Sequence, residues 1–188
     1  MVGYAEAVPS NALANPLVLP ILGLLVEQPR HPYAVFSELR ARYDFLKVRN
    51  ATVYTLLNTL TRAGWIIESP QQDSPVLSTT VAGREALAER VTVGLRGGAL
   101  SADAEFMTAL AYVGILAPKD AVAALQDRRD RLRDELARIR RVLDDSPALE
   151  LHMIEVHYYH DRLRHDLAWI ERTITRMGDG SLAWPRRG

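Results

Sequence analysis

Small, polar or basic side chains cover one face of a helix predicted over residues 51–63. Side chains of these types fit the major groove of DNA and reach base edges or phosphates. The residues on or beside this face are Ala51, Thr52, Tyr54, Thr55, Asn58 and Arg62. The opposite face carries the core stripe Val53, Leu56, Leu57 and Leu60. Because the polar face contains neither Glu nor Lys, a DNA-reading surface and a merely solvated surface stand as equal alternatives.

Two cations precede this helix. Lys47 and Arg49 lie just before its N-terminus, and Asn50 is the expected N-cap. Phosphate oxygens bound there would meet both basic side chains and free backbone N–H groups. The chain has 23 basic and 23 acidic residues, which argues mildly against nucleic-acid binding. Between Arg30 and Arg62, however, six basic residues stand against two acidic ones, a local charge of 6 − 2 = +4.

The elements around this helix predict a winged helix-turn-helix. Asn15-Pro16 begins a first helix that is apolar on nearly all sides and therefore needs cover, for which a dimer contact would serve. A second helix follows with the apolar residues Tyr33, Val35, Phe36, Leu39 and Tyr43. Strands over 65–69 and 76–79 flank a turn, and Thr80 caps a fourth helix that runs through Leu87.

The second half is predicted to be helical. Glycines between 94 and 98 mark the boundary between the halves, and two long helices follow. Their apolar residues have coiled-coil spacing: Leu125, Leu132, Leu136, Ile139 and Leu143, then Val156, Tyr159, Leu163, Leu167 and Ile170. An intramolecular antiparallel hairpin explains these seams, but we favour a dimer in which part of the seam joins two chains.

The predicted organisation is therefore mainly α. A flexible arm spans residues 1–14, a winged helix-turn-helix domain with a small β-hairpin wing spans 15–93, an antiparallel helical or coiled-coil dimerisation domain spans 99–177, and a flexible tail spans 178–188.

A second apolar stripe lies on the last helix, away from its seam. Tyr158 and Trp169 belong to it, and core packing is the simpler explanation. The functional hypothesis is an aromatic effector site to which Tyr112 or His152 adds a polar contact. No metal site is predicted, because the histidines of this helix point to different sides.

Several motifs of the first half resemble the PadR family of transcription regulators, over about residues 17–90. They are Ile21-Leu22-Gly23-Leu24-Leu25, His31-Pro32-Tyr33 with Glu38-Leu39, Ala51-Thr52-Val53-Tyr54 with Leu57 and Leu60, Gly64-Trp65-Ile66, and Thr80-Val81-Ala82-Gly83-Arg84. The second half is similar in layout to the longer subgroup, whose C-terminal helical domain is shared with virulence-activator-type regulators.

The resemblance implies a homodimer on a palindromic operator, which often represses and is often released by a small molecule. It also implies that Thr52 and Tyr54 lie near the DNA backbone and that Thr55 and Asn58 lie near bases. The chain departs from the family at Pro32, where glycine is usual, and in the wing. Family wings are rich in Arg and Lys, whereas residues 65–79 contain neither.

The remaining function classes are weaker. A helical protein–protein adaptor that keeps the winged fold without binding DNA is the alternative. No nucleophile–base set, phosphate loop or paired-carboxylate motif points to an enzyme or to a cofactor. The chain contains no cysteine, and its longest apolar run, residues 17–26, is too short to cross a bilayer. We therefore expect a cytoplasmic protein.

Overall fold

A computed structural model describes residues 13–71, 74–100 and 104–185. The chain forms two compact units, Met1–Val91 and Thr92–Gly188. Most of the predicted N-terminal arm, Gln72 and Asp73 of the wing tip, and the last three residues of the predicted tail lie outside the described residues.

The N-terminal unit has the predicted winged helix-turn-helix order. Its helices are α1 (Val18–Glu27), α2 (Pro32–Arg42) and α3 (Asn50–Arg62), with a 3-10 turn at Asp44–Leu46. Strands β1 (Ile66–Gln71) and β2 (Ser74–Thr79) form an antiparallel hairpin, and α4 (Val81–Arg96) follows it. The predicted fold class is confirmed.

Helix α1 is covered within its own unit. Its residues from Val18 to Leu25 are buried, and the helix packs against α2 and β2. The Asn15 side chain accepts a hydrogen bond from the Leu17 N–H at 2.9 Å, as expected of a residue that begins a helix. A dimer contact is therefore not required to cover α1, because neighbouring elements already exclude water from it.

The wing strands are longer than predicted. Pro70 pairs in register with Pro75, although the sequence predicts a turn there. Prolines are tolerated because a two-stranded hairpin has open edges on which no N–H donor is needed. A third segment joins β2 at one residue only, where Arg30 and Leu77 exchange backbone hydrogen bonds of 3.0 and 2.9 Å.

Thr80 fixes the junction between the wing and α4. Its hydroxyl donates to the Gly64 carbonyl at 2.7 Å and accepts from the Gly83 N–H at 3.1 Å, so the predicted helix cap is confirmed. A Cβ at Gly83 would lie 2.0 Å from the Trp65 carbonyl oxygen. The Thr-x-x-Gly motif therefore lets the first turn of α4 approach the start of β1 closely.

Helix α4 does not end at Leu87 as predicted but continues to Arg96, through Gly94 of the glycine-rich segment. In the C-terminal unit it meets α5 (Ala104–Ala111). A Cβ at Gly94 would lie 2.8 Å from the Cβ of Ala109, so this glycine allows two helices to pack closely instead of breaking one.

The rest of the C-terminal unit is a helical hairpin. Helices α6 (Pro118–Asp145) and α7 (Ile154–Gly178) pack along each other, joined by a short link with a 3-10 turn at Glu150–Met153. An ion pair of 2.6 Å joins Arg133 to Glu171 across them. The side chains fully buried in this unit include Leu125, Leu132, Ile139, Leu163 and Ile170.

Part of the segment expected to be a flexible tail makes specific contacts. The Leu182 N–H donates to the Arg176 carbonyl, and the Trp184 indole N–H donates to the Leu116 carbonyl, both at 3.0 Å. Gly180, with φ of +74°, allows the chain to turn back after the end of α7, so that Leu182 reaches the Arg176 carbonyl.

Candidate nucleic-acid interface

Helix α3 has one buried apolar face and one exposed polar face, as the helical period predicts. Val53, Leu56, Leu57 and Leu60 are buried. The opposite side is open to solvent: Ala51, Tyr54, Thr55, Asn58 and Arg62 are exposed, and Thr52 is half-buried. The unit therefore presents one polar helix face without distorting its core.

Hydrogen bonding along this face distinguishes its polar side chains. The Thr55 hydroxyl donates to the Ala51 carbonyl at 2.9 Å, so its proton is engaged and its oxygen remains an acceptor. No hydrogen bond within the described part of the chain engages the Asn58 amide. This amide keeps both a donor and an acceptor, the pair with which Asn reads adenine in the major groove.

The start of α3 is open. Arg49 occupies the N-cap position with extended backbone and no side-chain hydrogen bond to the helix, and Asn50 is the first helical residue. The prediction that Asn50 caps α3 is therefore wrong, since its backbone has already entered the helix. Lys47 has a left-handed φ of 49°, and both cations are exposed. Uncapped N–H groups beside free cations form a suitable environment for a phosphate.

Ion pairs revise the local charge estimated from sequence. Arg30 and Arg42 bind Glu27 and Glu38 at N–O distances between 2.7 and 3.9 Å. Glu27 belongs to α1, outside the window in which the charge was counted. In the described part of the chain no ion pair engages the cations that remain: Arg40, Lys47, Arg49 and Arg62.

The wing contributes no cation to this surface. The described side chains of its two strands include the exposed Ile67 and Glu68. A phosphate at this hairpin would meet an acidic side chain instead of a basic one, so the wing adds nothing to the exposed cations of the helix-turn-helix segment.

The four predicted effector residues do not form one cavity. Tyr112 is buried, whereas His152, Tyr158 and Trp169 are exposed. Tyr158 and Trp169 are three turns apart on α7, about 16 Å at the usual helical rise. A shallow cavity of about 350 Å³ between α6 and α7 is lined by other residues: Arg138, Ile139, Val142, Glu155, Val156 and Tyr159.

Arg138, at the rim of this cavity, is already paired. Its guanidinium donates to both oxygens of Glu135 at 2.6 and 2.8 Å. These hydrogen bonds lower the pKa of the Glu135 carboxyl and raise the pKa of Arg138. Both groups remain charged near neutral pH.

The predicted dimerisation residues fall into two groups. Leu125, Leu132, Ile139, Leu163 and Ile170 are buried between α6 and α7 of the same chain. Leu136, Leu143, Val156, Tyr159 and Leu167 are only half-buried. Beyond them an apolar surface, here called the hairpin tip, stands in solvent at the end where α6 and α7 are joined. It consists of Val142, Leu149, Leu151, Ile154 and Tyr158.

Two further properties concern the described residues alone. They contain no helix long and apolar enough to cross a membrane. They also contain no cluster of three or more side chains suited to hold a metal ion.

Comparison with known proteins identifies the N-terminal segment. Residues 21–89 match the model of the transcriptional regulator PadR-like family. Over these residues the N-terminal unit is similar in sequence to that family. The matched residues include α3, its flanking cations and the Thr80–Gly83 junction.

Several solved structures also match the chain. Bacillus subtilis PadR in complex with p-coumaric acid is 18% identical, with 92% of this chain and 99% of that chain covered and a TM-score of 0.39. The same protein in complex with operator DNA is 16% identical, with coverages of 86% and 98% and a TM-score of 0.37. The Vibrio cholerae virulence activator AphA is 19% identical, with coverages of 87% and 94% and a TM-score of 0.37. No curated protein matches the chain.

Proposed function

We propose that this protein is a sequence-specific DNA-binding transcription regulator, without catalytic activity, that inserts α3 into the major groove. One observation carries the proposal: the exposed face of α3 holds a free Asn58 amide and is accompanied by Lys47, Arg49 and Arg62, for which the described residues provide no ion pair. Free cations bind phosphates and fix the register, whereas amides read bases. We place such a regulator in the cytoplasm.

The proposed regulator acts as a homodimer joined through the C-terminal hairpin. The buried seam is already filled within one chain, so the hairpin tip and the half-buried flank of the seam remain for the second copy. Arg141 near the end of α6 and Glu155 at the start of α7 have no ion pair in the described chain. These opposite charges at the same end of the hairpin are available for pairs between two copies, because a twofold interface uses the same patch on both.

Repression and release by a small molecule are the parts of the proposal that depend on the family resemblance alone. PadR-type regulators often act in this way, and the match over residues 21–89 supports extending the scheme to this chain. The four residues predicted from sequence as an effector site remain a hypothesis, and their separation favours more than one contact region.

A helical adaptor is the second candidate. The wing without cations and the balanced charge of the whole chain favour it, as does the exposed apolar hairpin tip. An adaptor of this kind would bind another protein through the tip, and α3 would be an ordinary solvated helix.

Selection from random double-stranded DNA separates the two candidates. The purified protein is incubated with a random duplex pool at moderate salt, and bound sequences are amplified through several rounds. The regulator should enrich two inverted half-sites about 10 base pairs apart, or a multiple of this. A pool without an enriched motif would favour the adaptor.

A further inference from the structure

We propose that the outer face of α7 is a docking surface for an acidic helix of another protein. Its side chains, Arg162, His165, Trp169, Arg172 and Arg176, are here called the α7 ridge. The inference goes beyond the proposed function, because it gives a partner to a surface that neither base reading by α3 nor the hairpin tip uses.

The α7 ridge is one straight line of exposed side chains. Its five members follow each other at spacings of three, four, three and four residues, so they share a helix face. All five are exposed, whereas Leu163 and Ile170 are buried on the side that faces α6. The ridge is about 21 Å long at the usual helical rise, which is long enough to support another helix.

Trp169 lies at the centre of the ridge and is incompletely covered. Its surface is 39% exposed, and its indole N–H has no acceptor in the described part of the chain. Trp and Arg are among the residues that contribute most to protein–protein binding, and small molecules prefer concave pockets. A convex face composed of these residues therefore favours a protein partner over a small molecule.

The arginines of the ridge differ from those of α6. On α6, Arg129, Arg138 and Arg140 each have a carboxylate within 4 Å. Arg162, Arg172 and Arg176 have none among the described residues. Only Arg162 contacts an aromatic ring, with its guanidinium carbon 5.9 Å from the Tyr158 centroid, which does not neutralise its charge.

The acidic residues beside the ridge do not offset this charge. Asp161 binds Arg164 at 3.6 Å, and Glu171 binds Arg133 of α6 at 2.6 Å. Asp166 makes no ion pair with Arg162, and one of its carboxylate oxygens is shielded from solvent. The ridge therefore presents three positive charges, and a complementary partner must be acidic.

A second copy of the ridge does not meet this requirement. In an antiparallel pair of ridges centred between His165 and Trp169, Arg162 of each copy would face Arg172 of the other. In a parallel pair each arginine would face its own counterpart. Like charges placed opposite each other disfavour association, so the ridge is suited to a different chain.

A protein helix fits the ridge better than a DNA backbone does. Phosphates would pair with the arginines but would leave the Trp169 ring in water. A helix whose outer face alternates Glu with large apolar residues, at spacings of three and four, would pair with the arginines and also cover the ring. We therefore assign the ridge to an acidic, amphipathic helix.

A designed peptide tests the inference in the full-length protein. The probe is a fluorescent helical peptide of about 21 residues with Glu and Leu recurring on one face, which is long enough to cover the ridge. A peptide of the same composition in scrambled order is its control. Anisotropy at low and physiological salt should show that the probe binds about tenfold more tightly than the scrambled peptide, with affinity that falls as salt rises.

Variants locate the binding. Arg162→Gln with Arg172→Gln should weaken probe binding by about tenfold, and Trp169→Ala by about five- to thirtyfold. Arg96→Gln with Arg140→Gln removes the same charge at exposed positions away from the ridge and should bind like the wild type. Unchanged thermal unfolding of the variants is the accompanying check, since all the substituted side chains are exposed.

Three outcomes would overturn the inference. One is equal affinity for the probe and the scrambled peptide, and another is wild-type affinity in the ridge variants. The third is displacement of the probe by a random-sequence DNA duplex whose own binding is lost in the double ridge variant, which would make the ridge a nucleic-acid contact. The proposed function is tested separately, because the ridge variants should still bind a duplex selected from the random pool.

Discussion

The guanidinium carbon of Arg128 lies 3.8 Å from the centroid of the Phe106 ring. Arg128 is only 1% exposed, and its nitrogens donate to the carbonyls of Gly97 and Ala99 at 2.8 and 2.7 Å. The C-terminal carbonyls of a helix carry partial negative charge. The cation of α6 therefore caps the end of α4, and Arg131 adds hydrogen bonds to the Arg96 and Gly98 carbonyls.

Arg128→Met should destabilise the protein strongly. The substitution keeps much of the side-chain volume but removes the charged donor of the Gly97 and Ala99 carbonyls, which costs about 1.5–3 kcal/mol in free energy of unfolding. Urea denaturation measures this difference. Arg140→Met, at an exposed position on the same helix, should change the free energy of unfolding by no more than about 0.5 kcal/mol. Equal stability of the two variants would contradict the capping role.

Gly83→Ala should destabilise the winged domain. Its Cβ would lie 2.0 Å from the Trp65 carbonyl oxygen, so the start of α4 and β1 must separate, at a cost of about 1–3 kcal/mol. Thermal unfolding followed by circular dichroism checks the change. Gly178→Ala is the control, because a Cβ there meets nothing within 4 Å. A Gly83→Ala protein as stable as this control would mean that the junction is not tightly packed.

Asn58→Ala should relax specificity without abolishing binding. The free amide is assigned to a base edge, so its loss should cost about 1–3 kcal/mol of discrimination at one base pair of each half-site. Affinities for a selected duplex and for its single-base variants measure the effect. A loss of affinity equal for all sequences would assign Asn58 to the backbone instead of to a base.

Leu151→Asp together with Ile154→Asp should dissociate the dimer. Leu151 is 75% exposed and Ile154 56%, so the helices themselves tolerate the change. A second copy would have to bury both carboxylates, which disfavours association. Sedimentation should give monomers with wild-type helix content, whereas Val93→Asp, at another exposed apolar position, should remain dimeric. A double variant that stays dimeric would exclude the hairpin tip as the interface.

The buried seam provides a contrast. Leu132 has no exposed surface, so Leu132→Asp buries a carboxylate within one chain. We expect it to lower helix content and stability in the monomer itself, whether or not the chain dimerises. If Leu132→Asp gave a folded monomer instead, the seam would be the dimer interface, as the sequence alone suggests.

Periodicity predicted the elements and the faces of α3, because one stripe of large apolar residues fixes how that helix packs. It does not resolve α2, where apolar residues surround the helix and the exposed Tyr33 cannot be distinguished from the buried Val35 by spacing. The pairing of Arg42 with Glu27 escaped prediction because the partners lie on different helices. Gly94 was interpreted as a break because a close helix contact and a helix end both favour glycine.

The most direct test of the central claim is the salt dependence of DNA binding by the wild-type protein and by Arg49→Ala. The equilibrium constant for a duplex from the selected pool is measured between low and physiological salt. The account predicts binding that weakens steeply with salt, and a slope about 0.9 shallower in Arg49→Ala, because one phosphate contact is lost. Binding that is absent at low salt, or that does not depend on salt, would contradict it.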